Sequence, residues 1–403
     1  MTRKLLQINP VVRQSTSTGR IMREIGELAI SCGWESYIAY SGGRDGVPRH
    51  SSALLPTGNR ADVLLHAAAT RLFDAHGLAS VLATKRLTER ISTLDPDIIH
   101  IHNVHGYWLN YPLFFDYLRQ SGKPVVWTVH DCWLYTGHCY YYSYARCEKW
   151  RTGCGNCPQK HSFPASWLFD RSAANWRDKR DAFGSLPNLT LVPVSDWIRQ
   201  EMASSFLSGH EFRVIRNGID LDVFSPRAAE KDAGTVYLGV ASIWLEEKGF
   251  PDLMRLAGLL RDDERLVLIG RMTPAQKRRV PPGVLTVERT EDVHGLAAMY
   301  ARSSVLLNPT WQDNYPTVNL ESIACGTPVV TYRTGGSVEA VTGDTGRVVP
   351  QGDVSAMLDC ARELASADRS ATSLRCREYA EAHFGKESCY RNYIELYESL
   401  ATR

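Results

Sequence analysis

The sequence predicts an α/β protein of two units, each a parallel sheet wrapped by helices, on three observations. Strand-like apolar runs alternate with helical periods, the alternation breaks off and restarts near Val236, and 403 residues exceed what one hydrophobic core usually serves. Leu5 to Ile8 reads as the opening strand. Ile21, Ile25, Leu28 and Cys32 recur at helix spacing, and Ser36 to Tyr40, Ile98 to Ile101 and Val125 to Val129 read as further strands. The second series is Val236 to Val240, Leu266 to Ile269 and Val305 to Leu307. Between the two series, VIRNGIDLDVFSP (214–226) carries an Asn-Gly turn and aspartates suited to capping, the chemistry of a hinge. Leu320 to Ala324 reads as a helix that Gly326-Thr327-Pro328 stops before the apolar pair Val329-Val330. Tyr390, Tyr393, Ile394, Tyr397 and Leu400 mark a last helix. The expected division is 1–216, with a cysteine-rich insert at 132–160, then 217–384, then a final helix at 385–403.

Composition excludes several classes. With 44% hydrophobic and 22% charged residues the chain is an ordinary globular one, and a net charge of +2 argues against a nucleic-acid binder. No run approaches the roughly 18–20 apolar residues of a spanning helix, and MTRKLLQINPVV turns polar too early for a signal peptide. A cytoplasmic location is expected. Basic clusters at Lys85-Arg86, Arg177 to Arg180 and Lys277 to Arg279 read first as solvated faces, with peripheral contact to anionic head groups at the inner face of a membrane as the functional alternative.

The most informative stretch is NPTWQDNYPTVNLESIACGTPVVT (308–331). It sets two carboxylates, Asp313 and Glu321, eight positions apart around a loop that opens a helix. A helix start offers unpaired N–H groups and partial positive charge to a phosphate, while a carboxylate further in accepts hydrogen bonds from ribose or sugar hydroxyls. A capped helix with a solvated Glu explains the stretch alone about as well.

The order of these residues resembles the donor-site motif of the GT4 family of retaining glycosyltransferases: two glutamates separated by seven residues, a small-residue helix, then G-x-P-V-V. The linker at 214–226 is similar to that family's linker. The resemblance implies the GT-B fold, two Rossmann-like parallel-sheet domains facing across a cleft, with the last helix returning to the first domain. It implies ribose binding by Glu321 and sugar and diphosphate binding by Asp313, with Asn314, Tyr315, Pro316, Thr317 and Val318 supplying the loop. Asp313 replaces the usual Glu, which puts the donor sugar preference in question.

In GVASIWLEEKGF (239–250), Lys248 matches the family lysine that meets the donor diphosphate, where its charge offsets charge developing on the leaving group. The family's arginine six residues earlier is Ser242 here, and Arg271 is the candidate to compensate. PDIIHIHNVHGYW (96–108) and VVWTVHDCW (125–133) end strands with histidines, which hydrogen-bond sugars and exchange protons near neutral pH. His130 stands where the family keeps a histidine beside the donor sugar. Asn103, His105 and Asp131 are acceptor-side candidates, and at least one of His100 and His102 is expected in the core. In STSTGR (15–20), Gly19 is what remains of a glycine-rich loop near the diphosphate, with Ser17 or Thr18 as a helix cap.

Five of the ten cysteines fall within 132–157. Cys139, Cys147, Cys154 and Cys157 suit tetrahedral zinc better than disulfides in a reducing compartment, with Cys132 and His138 in reserve and free thiols the other alternative. The insert is similar to that of a bacterial subgroup linked to exopolysaccharide and colanic-acid-type assembly, and it is expected to clip an otherwise floppy loop. No catalytic metal is expected.

The expected activity is transfer of a sugar, of hexosyltransferase type, from a nucleoside diphosphate sugar to a saccharide acceptor, lipid-linked, with retention. Alternatives are a nucleotide-sugar 2-epimerase on the same fold, which needs further carboxylates that the sequence does not identify, and a non-catalytic partner motivated by Ser242 and Asp313. A pyridoxal phosphate-dependent phosphorylase fails on length.

Overall fold

The computed structural model describes residues 2–13, 16–43, 50–229, 232 and 234–402, so Ser15 of the first loop lies outside the described residues. The chain divides into two compact units, Met1–Arg216 with Tyr390–Arg403, and Asn217–Cys389.

The first unit holds a seven-stranded sheet of β1 (Lys4–Ile8), β2 (Glu35–Ser41), β3 (Ala53–Thr57), β4 (Ile98–Ile101), β5 (Val125–Val129), β6 (Leu189–Pro193) and β7 (Glu211–Phe212). Their spatial order is β3-β2-β1-β4-β5-β6-β7, every neighbouring pair parallel. Helices cover both faces, which is why β1, β4, β5 and β6 read as near-continuous apolar runs rather than alternating ones. Leu6, Ile8, Ile99, Ile101 and Phe115 are fully buried in one core cluster.

The second unit repeats the plan with β8 (Thr235–Ile243), β9 (Glu264–Arg271), β10 (Leu285–Val287), β11 (Val305–Asn308), β12 (Val329–Tyr332) and β13 (Gly346–Val349). The order is β10-β9-β8-β11-β12-β13, again parallel throughout. Strand order reverses between β1 and β4 in one sheet and between β8 and β11 in the other. Open parallel sheets bind ligands beyond the strand carboxyl ends at such reversals. There β1, β4 and β5 deliver Asn9, His102, Asn103 and His130, while β8 and β11 deliver the loops carrying Lys248 and Asp313.

Several local expectations are corrected. The first helix, Ser17–Ser31, is capped by Thr16, whose Oγ1 accepts the Gly19 N–H at 3.2 Å, so neither Ser17 nor Thr18 is the cap. The donor-site helix runs Thr317–Ala324 and starts earlier than the apolar spacing indicated, because Pro316 presets the entry. The cluster at 177–180 is not one solvated face. Lys179 is buried, donates to the carbonyls of Trp133 (2.6 Å) and Thr136 (2.9 Å), and lies 3.4 Å from the Trp133 ring centre. As expected of at least one of them, His100 and His102 are core residues, and in fact both are.

The final helix, Lys386–Ala401, spans the division, with Lys386 to Cys389 in the second unit and Tyr390 onward in the first. Within the first unit, Tyr397 Oη meets His100 Nδ1 at 2.6 Å and Tyr393 Oη meets Thr128 Oγ1 at 2.9 Å. Apolar ring burial and satisfied hydroxyls together hold this helix.

Candidate active site

In the second unit the candidate residues converge. β8 ends in a short turn, Glu246–Lys248, followed by Gly249 with φ +78°. A Cβ at Gly249 would collide with the Pro309 carbonyl, so the close approach of the Lys248 turn to the β11 loop requires glycine. The β11 loop is tied down in turn. Trp311 N–H donates to Glu247 O (2.8 Å), Trp311 Nε1–H to Asp252 Oδ2 (2.8 Å), and Gly336 N–H to Asp313 O (3.1 Å). Lys248 Nζ thereby meets Asp313 Oδ2 at 2.7 Å, a partly exposed ion pair at the mouth of the strand reversal.

Directly after this pair comes the helix Thr317–Ala324, with no side-chain cap at its start and Thr317 and Val318 half-buried. Its first-turn N–H groups and dipole suit a phosphate. Asn314, Tyr315 and Pro316 are buried and fix the loop rather than project from it. Glu321 is buried at 4% exposure and accepts a hydrogen bond from Tyr300 Oη at 3.0 Å. Asn319 is held by Asn308 (2.8 Å) and by the Ser337 carbonyl (3.0 Å). Ser242 is exposed near the end of β8, where the ladder shifts register. Arg271 is exposed at the end of the neighbouring β9, opposite Ile243. The two stand on adjacent strand ends, as compensation would need, but Arg271 is not drawn into the Lys248–Asp313 pair.

In the first unit, His130 follows β5 and its Nε2 lies 3.2 Å from His102 Nδ1, while His102 Nε2 lies 3.1 Å from Gln7 Oε1. With Gln7 Oε1 accepting, His102 carries its proton on Nε2, and its Nδ1 takes the His130 Nε2–H. Burial pushes the His130 pKa down to about 4, against the pull of Asp131, so the ring is neutral at physiological pH. His105 Nε2 meets Asp131 Oδ2 at 2.9 Å, and Asp131 Oδ1 accepts the Trp133 N–H at 2.9 Å. Burial opposes ionisation of Asp131, but His105 and that N–H outweigh it and hold the carboxyl below its usual value. The His105 ring lies 4.5 Å from Tyr140 and 5.3 Å from Trp133, an aromatic setting suited to a sugar. Asn103 Nδ2 donates to Asn9 Oδ1 (3.2 Å) beside them. Gly19 sits in the first turn of its helix, tight against the Arg13 carbonyl and Thr16.

The insert is packed into the first unit. Trp150, Tyr135 and Tyr142 are buried in the main core cluster, and Lys179 braces the chain from below. Cys139, Cys147, Cys154 and Cys157 line one small cavity with His138 and Lys149, and none is in a disulfide. Gly137 N–H points at Cys154 Sγ (3.2 Å), and the Cys139 thiol hydrogen-bonds Cys157, which draws the Cys157 pKa down to about 7. His138 Nδ1 is held by buried Asp74 at 2.7 Å. The donor set suits zinc in kind and number, yet among the described residues no three His, Cys, Asp or Glu side chains are grouped as ligands of one ion.

Sequence reading missed Tyr300 and Gln7, because each acts from a separate helix or strand, while Asn308 and Asn319 lie inside the stretch that was read but meet each other only in the fold. Two family profiles match the chain: Glycosyltransferase Family 4 over residues 18–223 and Glycosyl transferases group 1 over residues 234–367. The chain belongs to glycosyltransferase family 4. This family 4 glycosyltransferase is 25% identical over 98% of its length to the whole of an Escherichia coli (strain K12) protein, WcaC, provisionally named a colanic acid biosynthesis glycosyl transferase. It is 29% identical over 64% of its length to 60% of a D-inositol 3-phosphate glycosyltransferase from Nocardiopsis dassonvillei. Its fold matches a sucrose-phosphate synthase from Thermosynechococcus elongatus (TM-score 0.71, 17% identity, 99% of both chains). It also matches HepE of Anabaena solved with UDP-glucose (TM-score 0.66, 13% identity, 98% of this chain and 99% of that one). Two Rossmann-like parallel-sheet domains of GT-B type are therefore shared.

Proposed function

We propose that this glycosyltransferase moves a sugar from a nucleoside diphosphate donor to a lipid-linked saccharide acceptor, with retention, in surface or exopolysaccharide assembly. The observation that carries the reading is the Lys248–Asp313 pair at the mouth of an uncapped helix that holds Glu321 inside. The full-length likeness to a protein named for colanic acid biosynthesis supports the pathway class. Lys248 and the Thr317 end of the helix take the diphosphate, Glu321 the ribose, and Asp313 the sugar, exchanging its lysine contact for sugar hydroxyls. In a front-face displacement the C1–O bond to the diphosphate breaks and the bond to the acceptor oxygen forms. The acceptor proton passes to the departing phosphate oxygen, so positioning and charge stabilisation are the enzyme's contribution. Neutral His130 stands by to hydrogen-bond a sugar hydroxyl.

The test is a screen of UDP-, GDP- and dTDP-sugars for diphosphate release, with and without lipid-linked glycans. Release from one donor, lost in Glu321→Ala, supports transfer. Tight binding without release from any donor would favour a non-catalytic partner.

We also propose structural zinc on Cys139, Cys147, Cys154 and Cys157, supported by their common cavity and the N–H donated to the Cys154 sulfur. Binding would draw the sulfurs to about 2.3 Å from the ion. One zinc per chain by elemental analysis, lost in Cys154→Ser, is expected; four freely titrating thiols and no metal would refute it.

A further inference from the structure

The helix Arg60–Phe73 is inverted. It buries His66, Ala67 and Thr70 and turns Leu64, Leu65 and Leu72 outward, where a helix facing only water would do the reverse. Residues 64, 65, 68 and 72 fall on one stripe at helix spacing. Beside its end lies a second exposed apolar run, Phe163, Trp167, Leu168 and Phe169. The two are joined: Phe73 stacks on Phe169 at 5.8 Å, Trp167 N–H donates to Arg71 O at 2.6 Å, and the Arg71 guanidinium covers the Trp167 ring at 5.7 Å. Leu64, Leu65, Phe73, Trp167, Leu168 and Phe169 are 54–70% exposed, more contiguous apolar surface than a monomer normally leaves without a partner.

The charges around this surface choose its occupant. Arg60 and Arg71 on this helix are exposed, as are Lys85 and Arg86 on the helix Val81–Leu94, which Ser80 joins to His66 at 2.9 Å, while Arg90 is tied to the Pro56 carbonyl (2.8 Å). The nearby carboxylates are mostly consumed internally. Asp62 accepts the Asn59 N–H (2.8 Å), Asp74 is buried against His138, and Asp170 takes the N–H groups of Cys157 (2.6 Å) and Ser172 (2.9 Å). Glu89 alone among the acidic residues of the two helices Arg60–Phe73 and Val81–Leu94 stays both exposed and uncommitted to a cap. Outward leucines, a Trp and two Phe at the tips, and a basic rim match an anionic bilayer interface, where ring bodies enter the acyl boundary and cations meet phosphates.

We propose that this face of the first unit docks on the surface of an anionic lipid bilayer. The inference deepens the reading above, locating its membrane contact, and rests on it only for the lipid-linked acceptor. The experiment is flotation of the full chain with vesicles of phosphatidylcholine, with and without phosphatidylglycerol, at low and high salt. The wild type is expected to float only with phosphatidylglycerol and to be released by salt. Leu65→Ser/Trp167→Ser/Phe169→Ser, and separately Lys85→Glu/Arg86→Glu, should each lower vesicle binding at least about tenfold with an unchanged Tm. Failure of the wild type to float, or equal flotation by both variants, overturns the proposal. So does a concentration-dependent dimer abolished by the serine variant, which would assign the face to a second copy. Donor turnover of the same preparations without vesicles is read separately, so its absence would count against the transferase reading and not against docking.

Discussion

Lys248 and Asp313 are partners at 2.7 Å, but the bond matters as a placeholder. The pair is partly exposed, so its loss costs below about 1 kcal/mol of stability. Lys248→Ala should therefore leave the Tm nearly unchanged and lower donor turnover by about a hundredfold; a large Tm loss with intact turnover would make the pair structural. Tyr300→Phe removes the hydroxyl that orients Glu321 and should weaken donor binding about fivefold, read by calorimetry against the nucleoside diphosphate. The placing of Asp313 in the loop and Glu321 in the helix was legible in the sequence, because their spacing lies within one local stretch. Tyr300 was not, since it reaches Glu321 from the separate helix Val293–Arg302, and nothing in one sequence records that meeting.

Among elements, the strands nearest the sheet centres were readable because burial on both faces makes them continuously apolar: β1, β4, β5 and β11 lie where the runs placed them. The helix Arg60–Phe73 and strand β3 were not read, the first because its leucines face outward and the second because Pro56 and exposed Ala53 break the run. The turn before Phe250 gives an element-level prediction. Gly249→Ala forces a side chain into positive φ and against Pro309, displacing the Lys248 turn. It should cost roughly 1–3 kcal/mol in urea denaturation and lower turnover as Lys248→Ala does. In the insert, Trp150→Ala should destabilise by about 3–5 kcal/mol, since the ring is fully enclosed by Tyr135 and Tyr142.

For the molecule as a whole, buried histidines set the response to acid. His66 is held near pKa 4 by burial, with Nε2 accepting the Gly77 N–H (2.9 Å), so a second ring proton would face another proton. Burial pushes His100 and His102 well below their ordinary value too. Their folded pKa values lie below the unfolded 6.5, so the unfolded chain takes up protons first, and stability present above pH 6.5 is lost as pH falls toward 4. His66 alone accounts for about 2 kcal/mol at pH 5. His138, raised by Asp74 despite its burial, acts oppositely and offsets part of the loss. Thermal melts at pH 7.5 and 5 should differ by roughly 4–8 °C; equal values would show that these rings are not neutral in the fold.

The helix Lys386–Ala401 gives the order of synthesis a consequence. The ribosome completes Met1–Arg216 long before it makes Tyr393 and Tyr397, which close over His100 and Thr128. At about 5–20 residues per second the gap is roughly 9–35 seconds. During that interval the nascent first unit carries an open slot with its polar groups wet, and the portion made first is the last to mature.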